Sequence, residues 1–387
     1  MITKHKILFQ DARKINELGD HSVDLMITSP PYPMIGMWDE MFSEQNPAIR
    51  DALNNKDGST AFELMNKELD KVWDEVYRVL KPGGIVCINI GDATRTVNGN
   101  FKLYSSSSRI TSHCINIGFS SLPKILWKKT TNSPNKFMGS GMMPPGAYVT
   151  LEHEYILIFR KGGKREFKKA DEKSNRQESS FFWEERNVWF SDIWEGLNGV
   201  LQKSKDEKTR DRSAAYPFEL AYRLINMFSV KGDIILDPFL GTGTTMLAAM
   251  ASARNSIGIE IDSNFKNTIL ERVDAIKEYS NKINRERIKK HLKFVKKREE
   301  EKCPLKYTNK YYGFKVMTRQ ELNLLFNDLK NVEKNGDNEF KVTYSQEPQK
   351  DISINKSMDI NKNIFENPKI EKTAGDFATM RLSNFVN

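Results

Sequence analysis

Apolar positions fall along the chain in two alternating patterns, short and mostly apolar runs and longer stretches with helical spacing. The runs are Lys6 to Phe9, Val23 to Ile27, Ile85 to Ile90, Lys124 to Lys128, Glu154 to Arg160, Asp233 to Leu236 and Ser256 to Ile261. Each is strand-sized and ends at turn-forming or polar residues, as expected of strands buried on both faces of a sheet. Helical spacing marks Thr60 to Leu80, where Phe62, Met65, Leu69, Val72, Val76 and Leu80 make one apolar face. It also marks Ser105 to Ile117, a helix through Met227, and a long helix from Ser263 to about Glu300. Strands alternating with helices predict an α/β fold built on a doubly wound, mostly parallel sheet.

Local signals place the boundaries. Thr60 with Glu63 reads as a capping box that starts its helix, and Lys81-Pro82-Gly83-Gly84 stops it. Ala12 to Leu18 reads as a short helix that Asp11 could cap. Pro33 to Ser59 reads as a long loop, a lid or DNA-facing segment, and Asn132 to Gly146 as a surface loop near the same edge. Beyond about Pro304 the chain is polar and rich in Asn and Lys, with a helix expected at Gln320 to Leu329. Disorder, a small extra module and a docking surface all remain open for this tail.

Chemistry concentrates at the ends of two strands. Val23 to Ile27 leads into Thr28-Ser29-Pro30-Pro31-Tyr32, and the prolines forbid any continuation of strand or helix. In an open α/β sheet ligands bind at the carboxyl ends of strands, so Ser29, two proline-flanked carbonyls and Tyr32 would line a pocket there. Such a pocket suits a flat, hydrogen-bonding guest. A stiff loop with no chemistry is the competing reading of these residues alone.

A second stretch, Asp233 to Thr245, reads as strand, glycine turn, then helix. Gly241 and Gly243 let the backbone bend tightly and approach a ligand, and a helix starting near Thr244 points free N–H groups at it. The next strand carries Glu260 where a carboxylate can accept both hydroxyls of a ribose. A dinucleotide enzyme would share this spacing, but Met246 stands where the third glycine of its fingerprint would be.

Together these stretches resemble the amino-methyltransferases that modify exocyclic nitrogens of DNA bases with S-adenosylmethionine. The resemblance covers roughly residues 5 to 262 and implies a Rossmann-like methyltransferase fold. It implies a cofactor site at Asp237, Pro238, Phe239, Gly241, Thr242, Gly243 and Thr244, with Glu260 on the ribose and Asp11 near the adenine. Pro217 and Phe218, in Ala214 to Leu220, would pack on the methionine end of the cofactor, although Arg212-Ser213 replace the family's His-Pro. Ser29, Pro30, Pro31 and Tyr32 would form the catalytic loop. The catalytic loop precedes the cofactor loop, as in the circularly permuted beta group, and serine before Pro-Pro-Tyr is more typical of cytosine-N4 than of adenine-N6 enzymes. The resemblance thus implies N4 methylation of a flipped cytosine in double-stranded DNA. A restriction-modification system would supply a cognate restriction endonuclease as a functional rather than a physical partner. Adenine-N6 transfer, and a DNA-binding protein that holds cofactor without turnover, remain the alternatives.

Composition adds limits. The net charge is +9 and the pI about 9.1, compatible with a polyanionic partner or a solvated basic face. Cys87, Cys114 and Cys303 are widely spaced, which excludes a disulfide framework and offers no zinc site; no metal is expected. A C5-cytosine enzyme would need a nucleophilic cysteine, usually in Pro-Cys, whereas here Cys303-Pro304 is reversed. No apolar run approaches a membrane span and the first residues carry no signal-peptide core, so a soluble, cytoplasmic protein is expected.

The expected organisation is then 1–160 and 213–262 as the two halves of the methyltransferase domain, 263–300 as a basic helix and 301–387 as an extension. Between the halves, 161–212 interleaves Lys and Arg with Phe181, Phe182, Trp183, Trp189, Phe190 and Trp194. Basic and aromatic residues so mixed could grip phosphates and bases. The beta-group order puts target recognition here; a satellite hydrophobic cluster is the competing reading. His153 and Glu154 read as structural, with a general-base pair as the competing reading, and Asp92 as a turn-former, with a part in the target pocket as its alternative.

Overall fold

The computed structural model describes residues 1–129, 139–197 and 216–348. In chain order the first half comprises β1 (Ile2–Phe9), β2 (Val23–Thr28), α1 (Asp39–Gln45), α2 (Pro47–Asn54), α3 (Gly58–Val79) and β3 (Leu80–Ile90). A hairpin follows, β4 (Ala93–Val97) and β5 (Asn100–Tyr104), then α4 (Ser106–Asn116), β6 (Phe119–Lys128) and β7 (His153–Lys161). The second half comprises α5 (Ala170–Glu178), α6 (Trp183–Trp189), β8 (Ile193–Trp194), α7 (Phe218–Phe228), β9 (Ile234–Asp237), α8 (Thr244–Ala251), β10 (Asn255–Glu260) and α9 (Phe265–Glu300). The extension adds β11 (Tyr307–Thr308), β12 (Lys315–Val316), β13 (Leu329–Lys334) and β14 (Glu339–Tyr344).

Ten of these strands form one sheet in the order β13-β14-β1-β10-β9-β2-β3-β7-β6-β8. Its centre, β1-β10-β9-β2-β3, is parallel, and β7 turns antiparallel beside β3. All six residues of β2 are buried because both faces are covered. Val23 and Met26 pack with α2, α3 and α4, while Leu25 and Ile27 pack with α7, α8 and α9. Met26 thus faces one core and its neighbours Leu25 and Ile27 the other, while a register shift between Val23 and Leu25 returns Val23 to the first. With both faces covered, the strand is apolar as far as Ile27 except for Asp24, which pairs with Lys81. The doubly wound, mostly parallel sheet is as the sequence implies.

Several boundaries differ from expectation. Pro33 to Ser59 is no open loop but holds α1 and α2, seven- and eight-residue helices too short to stand out as periodic. Asn46 ends the first and caps the second, accepting from the Ala48 amide at 3.2 Å, and Pro47 fills the first turn. The cap of α3 is Asp57, whose carboxylate takes the Thr60 amide at 3.0 Å, while Glu63 pairs with Arg109 instead of closing a box. Ala12 to Leu18 forms turns, not a helix, because the Arg78 guanidinium claims the carbonyls of Ile15 and Leu18. Asp92 takes the Ser107 amide and the Ser105 hydroxyl and thereby holds the start of α4.

The tail is more ordered than its composition suggests. Gln320 to Leu329 holds only a single 3-10 turn, Arg319–Glu321, since the Asn309 amide binds the carbonyls of Glu321 and Leu324 and the chain then runs on without helix. β14 pairs antiparallel with β1 and buries Phe340, Val342 and Tyr344 in the main core. Residues 349–387 lie outside the described part.

Where it is described, the aromatic stretch in 161–212 turns part of its rings inward and leaves others on the surface. Phe182 is fully buried against His291 (3.9 Å, parallel rings) among Ile288, Phe314, Leu324 and Phe326. Trp189 and Trp194 are buried too, and Arg287 of α9 grips Glu185 of α6 with two 2.6 Å bonds. Trp183 and Phe190 remain exposed. Residues 198–212 lie outside the described part. On α9, Lys290, Lys293, Lys296 and Lys297 are solvated. No described helix is long and apolar enough to cross a membrane, and no cluster of metal-ligating side chains occurs among the described residues.

Candidate active site

The parallel strands β1, β10, β9 and β2 deliver their carboxyl ends to one edge, and a single cavity opens there. Its walls include Asp11 after β1, Ser29, Pro30, Pro31 and Tyr32 after β2, Pro238, Phe239, Gly241, Thr242 and Thr244 after β9, and Glu260 at the end of β10. Stretches distant in sequence therefore share one space. Trp38, beside α1, closes another side.

Not every expected residue faces the cavity. Asp237 lies behind it, 2 % exposed, and its carboxylate accepts from the Thr28 hydroxyl (2.5 Å), the Phe239 amide (3.0 Å), the Tyr216 phenol (3.2 Å) and Thr245. Burial raises its pKa against these four bonds. Gly243 also stands back; its φ of +84° makes the left-handed turn that starts α8. Pro217 and Phe218 do not line the cavity. Pro217 precedes the first turn of α7, and Phe218 turns into the core against Tyr222 and Tyr279, since both belong to the face of α7 that packs on the sheet and α9. Tyr216 lines the cavity in their place.

Glu260 shapes the side of the cavity that the glycine turn forms. Its two carboxylate oxygens accept the Gly241 amide at 2.7 Å and the Asp262 amide at 2.9 Å, so it both shapes the glycine turn and faces the cavity. Burial raises its pKa, offset in part by those amides. Asp11 is also desolvated, but the Arg13 guanidinium and amide outweigh that and hold its pKa below the ordinary carboxylate value. With Asp262 these carboxylates give the cavity an acidic rim, while Phe239, Ile261 and Phe265 add apolar wall. Ile261 is 55 % exposed, an apolar surface open to a planar group. The donor set thus fits a cationic adenosine derivative: carboxylates for ribose and amine, flat apolar contact for the base.

Behind Tyr32 the structure brings together Asn89, which the sequence reading does not single out, and Glu154, which it reads as structural. Asn89, at the end of β3, and Glu154, at the start of β7, are buried directly behind Tyr32. Glu154 accepts from the Tyr32 phenol at 3.0 Å and from Asn89 Nδ2 at 2.7 Å, and the Lys129 ammonium reaches it at 2.6 Å. Ser29 Oγ lies 3.2 Å from the phenol oxygen. Burial and the Glu154 charge push Tyr32 well above an ordinary tyrosine, although the Ser29 bond opposes them. Gly91 makes room: a Cβ there would stand 3.0 Å from the Tyr32 ring. A polar Asn interrupting the apolar run of β3, and an acid opening that of β7, were the available signals.

A Rossmann-like sheet with a glycine turn, a ribose-type carboxylate and a proline-rigid polar loop around one cavity defines a nucleoside-cofactor enzyme fold. The chain belongs to the DNA methylase family of N6/N4 methyltransferases, whose model matches residues 23–271. It is similar to the Type II methyltransferase M.MthZI of Methanothermobacter thermautotrophicus, 51% identical over 347 residues, covering 89% of this chain and 96% of that protein. It is also similar to the Type II methyltransferase M.MjaI of Methanocaldococcus jannaschii, 52% identical over 282 residues, covering 70% and 91%. Among solved structures, a protein of Thermus thermophilus described as a putative DNA modification methylase, complexed with S-adenosyl-L-methionine, superposes with a TM-score of 0.54 at 31% identity, covering 69% of this chain and 92% of that one.

Proposed function

We propose that this DNA methyltransferase moves the methyl group of S-adenosylmethionine to the exocyclic N4 of a cytosine flipped out of duplex DNA, as the modification enzyme of a Type II restriction-modification system. One observation carries the reading: Ser29 and Tyr32 line the same cavity as Gly241 and Glu260. Bound there, S-adenosylmethionine supplies an electrophilic methyl on a sulfonium, and the acidic rim favours that charge. The choice of cytosine rests on Ser29, and the resemblance to Type II modification enzymes supports a cognate endonuclease in the same cell. Target recognition is assigned to segment 161–212.

An exocyclic amine is a poor nucleophile because its lone pair is conjugated into the ring, and inside the duplex it is out of reach. Flipping costs a few kcal/mol. Tyr32 then stacks on the flipped base, while Ser29 Oγ and the Pro30 carbonyl accept the amine hydrogens and draw the nitrogen toward tetrahedral geometry. The prolines hold these acceptors without rearrangement, so positioning supplies most of the rate. Glu260 and Asp11 hold the cofactor's hydroxyl and amine groups, and Trp38 and Phe239 keep water out.

The test is to incubate the protein with tritium-labelled S-adenosylmethionine and mixed-sequence duplex DNA, digest to nucleosides, and identify the labelled one. Label in N4-methyl-2′-deoxycytidine is the expected result. Label in N6-methyl-2′-deoxyadenosine overturns the base assignment, and no label overturns the reaction.

A further inference from the structure

Glu154 is 8 % exposed and does not line the cavity. Its contact with a guest runs through Tyr32 and Ser29, and hydrogen-bond arithmetic fixes the direction of that path. Asn89 Nδ2 can only donate, and it lies 2.7 Å from Glu154 Oε2, 2.9 Å from the Tyr32 oxygen and 3.4 Å from Ser29 Oγ. An ionised carboxylate can only accept, so the Tyr32 proton points at Glu154, 3.0 Å away. The phenol oxygen then accepts from Asn89 and from the Ser29 hydroxyl at 3.2 Å. Ser29 is left with lone pairs free on the cavity side.

We propose that Glu154 is the terminal proton acceptor of methyl transfer, reached from the target amine through the hydroxyls of Ser29 and Tyr32. The inference rests on the reaction proposed above. As the amine nitrogen bonds to the methyl carbon, the carbon–sulfur bond breaks and its electron pair stays on sulfur. The methylated nitrogen then carries one proton too many. That proton passes to Ser29 Oγ as the Ser29 proton passes to the Tyr32 oxygen and the Tyr32 proton to Glu154 Oε2. Serine and tyrosine end neutral and unchanged, and Glu154 ends as the carboxylic acid. The high pKa of Tyr32 suits this part, since the phenol conducts the proton without resting as a phenolate. Lys129 lies beside Glu154 with its side chain 38% exposed, so its charge stays solvated after Glu154 is neutralised.

Glu154→Gln keeps an acceptor for Tyr32 but cannot take a proton; Tyr32→Phe keeps the ring and breaks the path. Single-turnover transfer from labelled S-adenosylmethionine to mixed-sequence duplex DNA is measured from pH 5 to 9 for wild type, each variant and the double variant, with cofactor affinity by calorimetry. Wild-type transfer should fall as the pH drops, because protonated Glu154 cannot accept. Each variant should transfer roughly 100-fold more slowly without that acid limb, and the double variant no more slowly than Tyr32→Phe. A Glu154→Gln enzyme within two-fold of wild type with its acid limb intact overturns the relay. If that variant fails to fold, Tyr32→Phe decides on the same criterion. A wild type that transfers no label to DNA instead overturns the proposed reaction, and the relay with it.

Discussion

The Thr28 hydroxyl donates to the buried carboxylate of Asp237 at 2.5 Å, and this bond ties the loop of residues 29–32 to the glycine turn after β9. Thr28 is the last residue of β2 and Asp237 the last of β9, neighbouring strands whose ends must stay in register for the two loops to share a cavity. Thr28→Val keeps the shape but leaves a buried carboxylate short of one donor. We expect it to lower unfolding stability by about 1–3 kcal/mol and to weaken S-adenosylmethionine binding, as read by urea denaturation and calorimetry.

Asp237 also sets a pH dependence. Burial raises its folded pKa above the ordinary carboxylate value, so between the two values the folded state holds a proton that the unfolded chain has lost. Stability from this group is therefore present at low pH and falls as pH rises through that window. Asp237→Asn removes the ionisation. The stability of wild type relative to this variant should decline with rising pH, and a rising difference would refute the sign.

Gly91 controls the Tyr32 ring. A methyl group there would stand 3.0 Å from that ring and 3.4 Å from Glu154 Cγ, so Gly91→Ala must push the pair aside. A misplacement of about 1 Å costs on the order of 100-fold in rate, and the shift of the ring needed here is a fraction of that. We expect a loss of up to about 10-fold in single-turnover transfer, by the same estimate, with cofactor affinity within two-fold, because Gly91 is not among the cavity-lining residues.

The C-terminal strands belong to the main core. Phe340 on β14 is 1 % exposed and packs in the same cluster as Ile7 of β1. Phe340→Ala should cost about 3–5 kcal/mol in chemical denaturation without changing the order of substrate preference.

What the sequence reveals of this molecule follows from how local each signal is. The apolar run into Ser29-Pro30-Pro31-Tyr32 and the turn from Asp237 to Thr244 carry their geometry in adjacent residues, so their place at a strand end is legible. Glu154 and Asn89 become site residues only because β7 lies antiparallel beside β3, a pairing no short window contains. Phe218 escapes a sequence reading because its helix offers both a core face and a cavity end, and the rotation that chooses between them is tertiary. The helices α1 and α2 hide because seven or eight residues give too few repeats of the helical period, and the alternation Phe340, Val342, Tyr344 hides in a tail dominated by Asn and Lys.

The central claim is that one cavity separates chemistry at Ser29 from cofactor binding at Glu260. It is tested most directly by measuring, on Ser29→Ala, both the single-turnover rate of methyl transfer to DNA and the Kd for S-adenosylmethionine. The account requires transfer to drop roughly 100-fold, the scale of a lost positioned acceptor, while Kd stays within two-fold. Unchanged transfer, or a loss explained wholly by weaker cofactor binding, would contradict it.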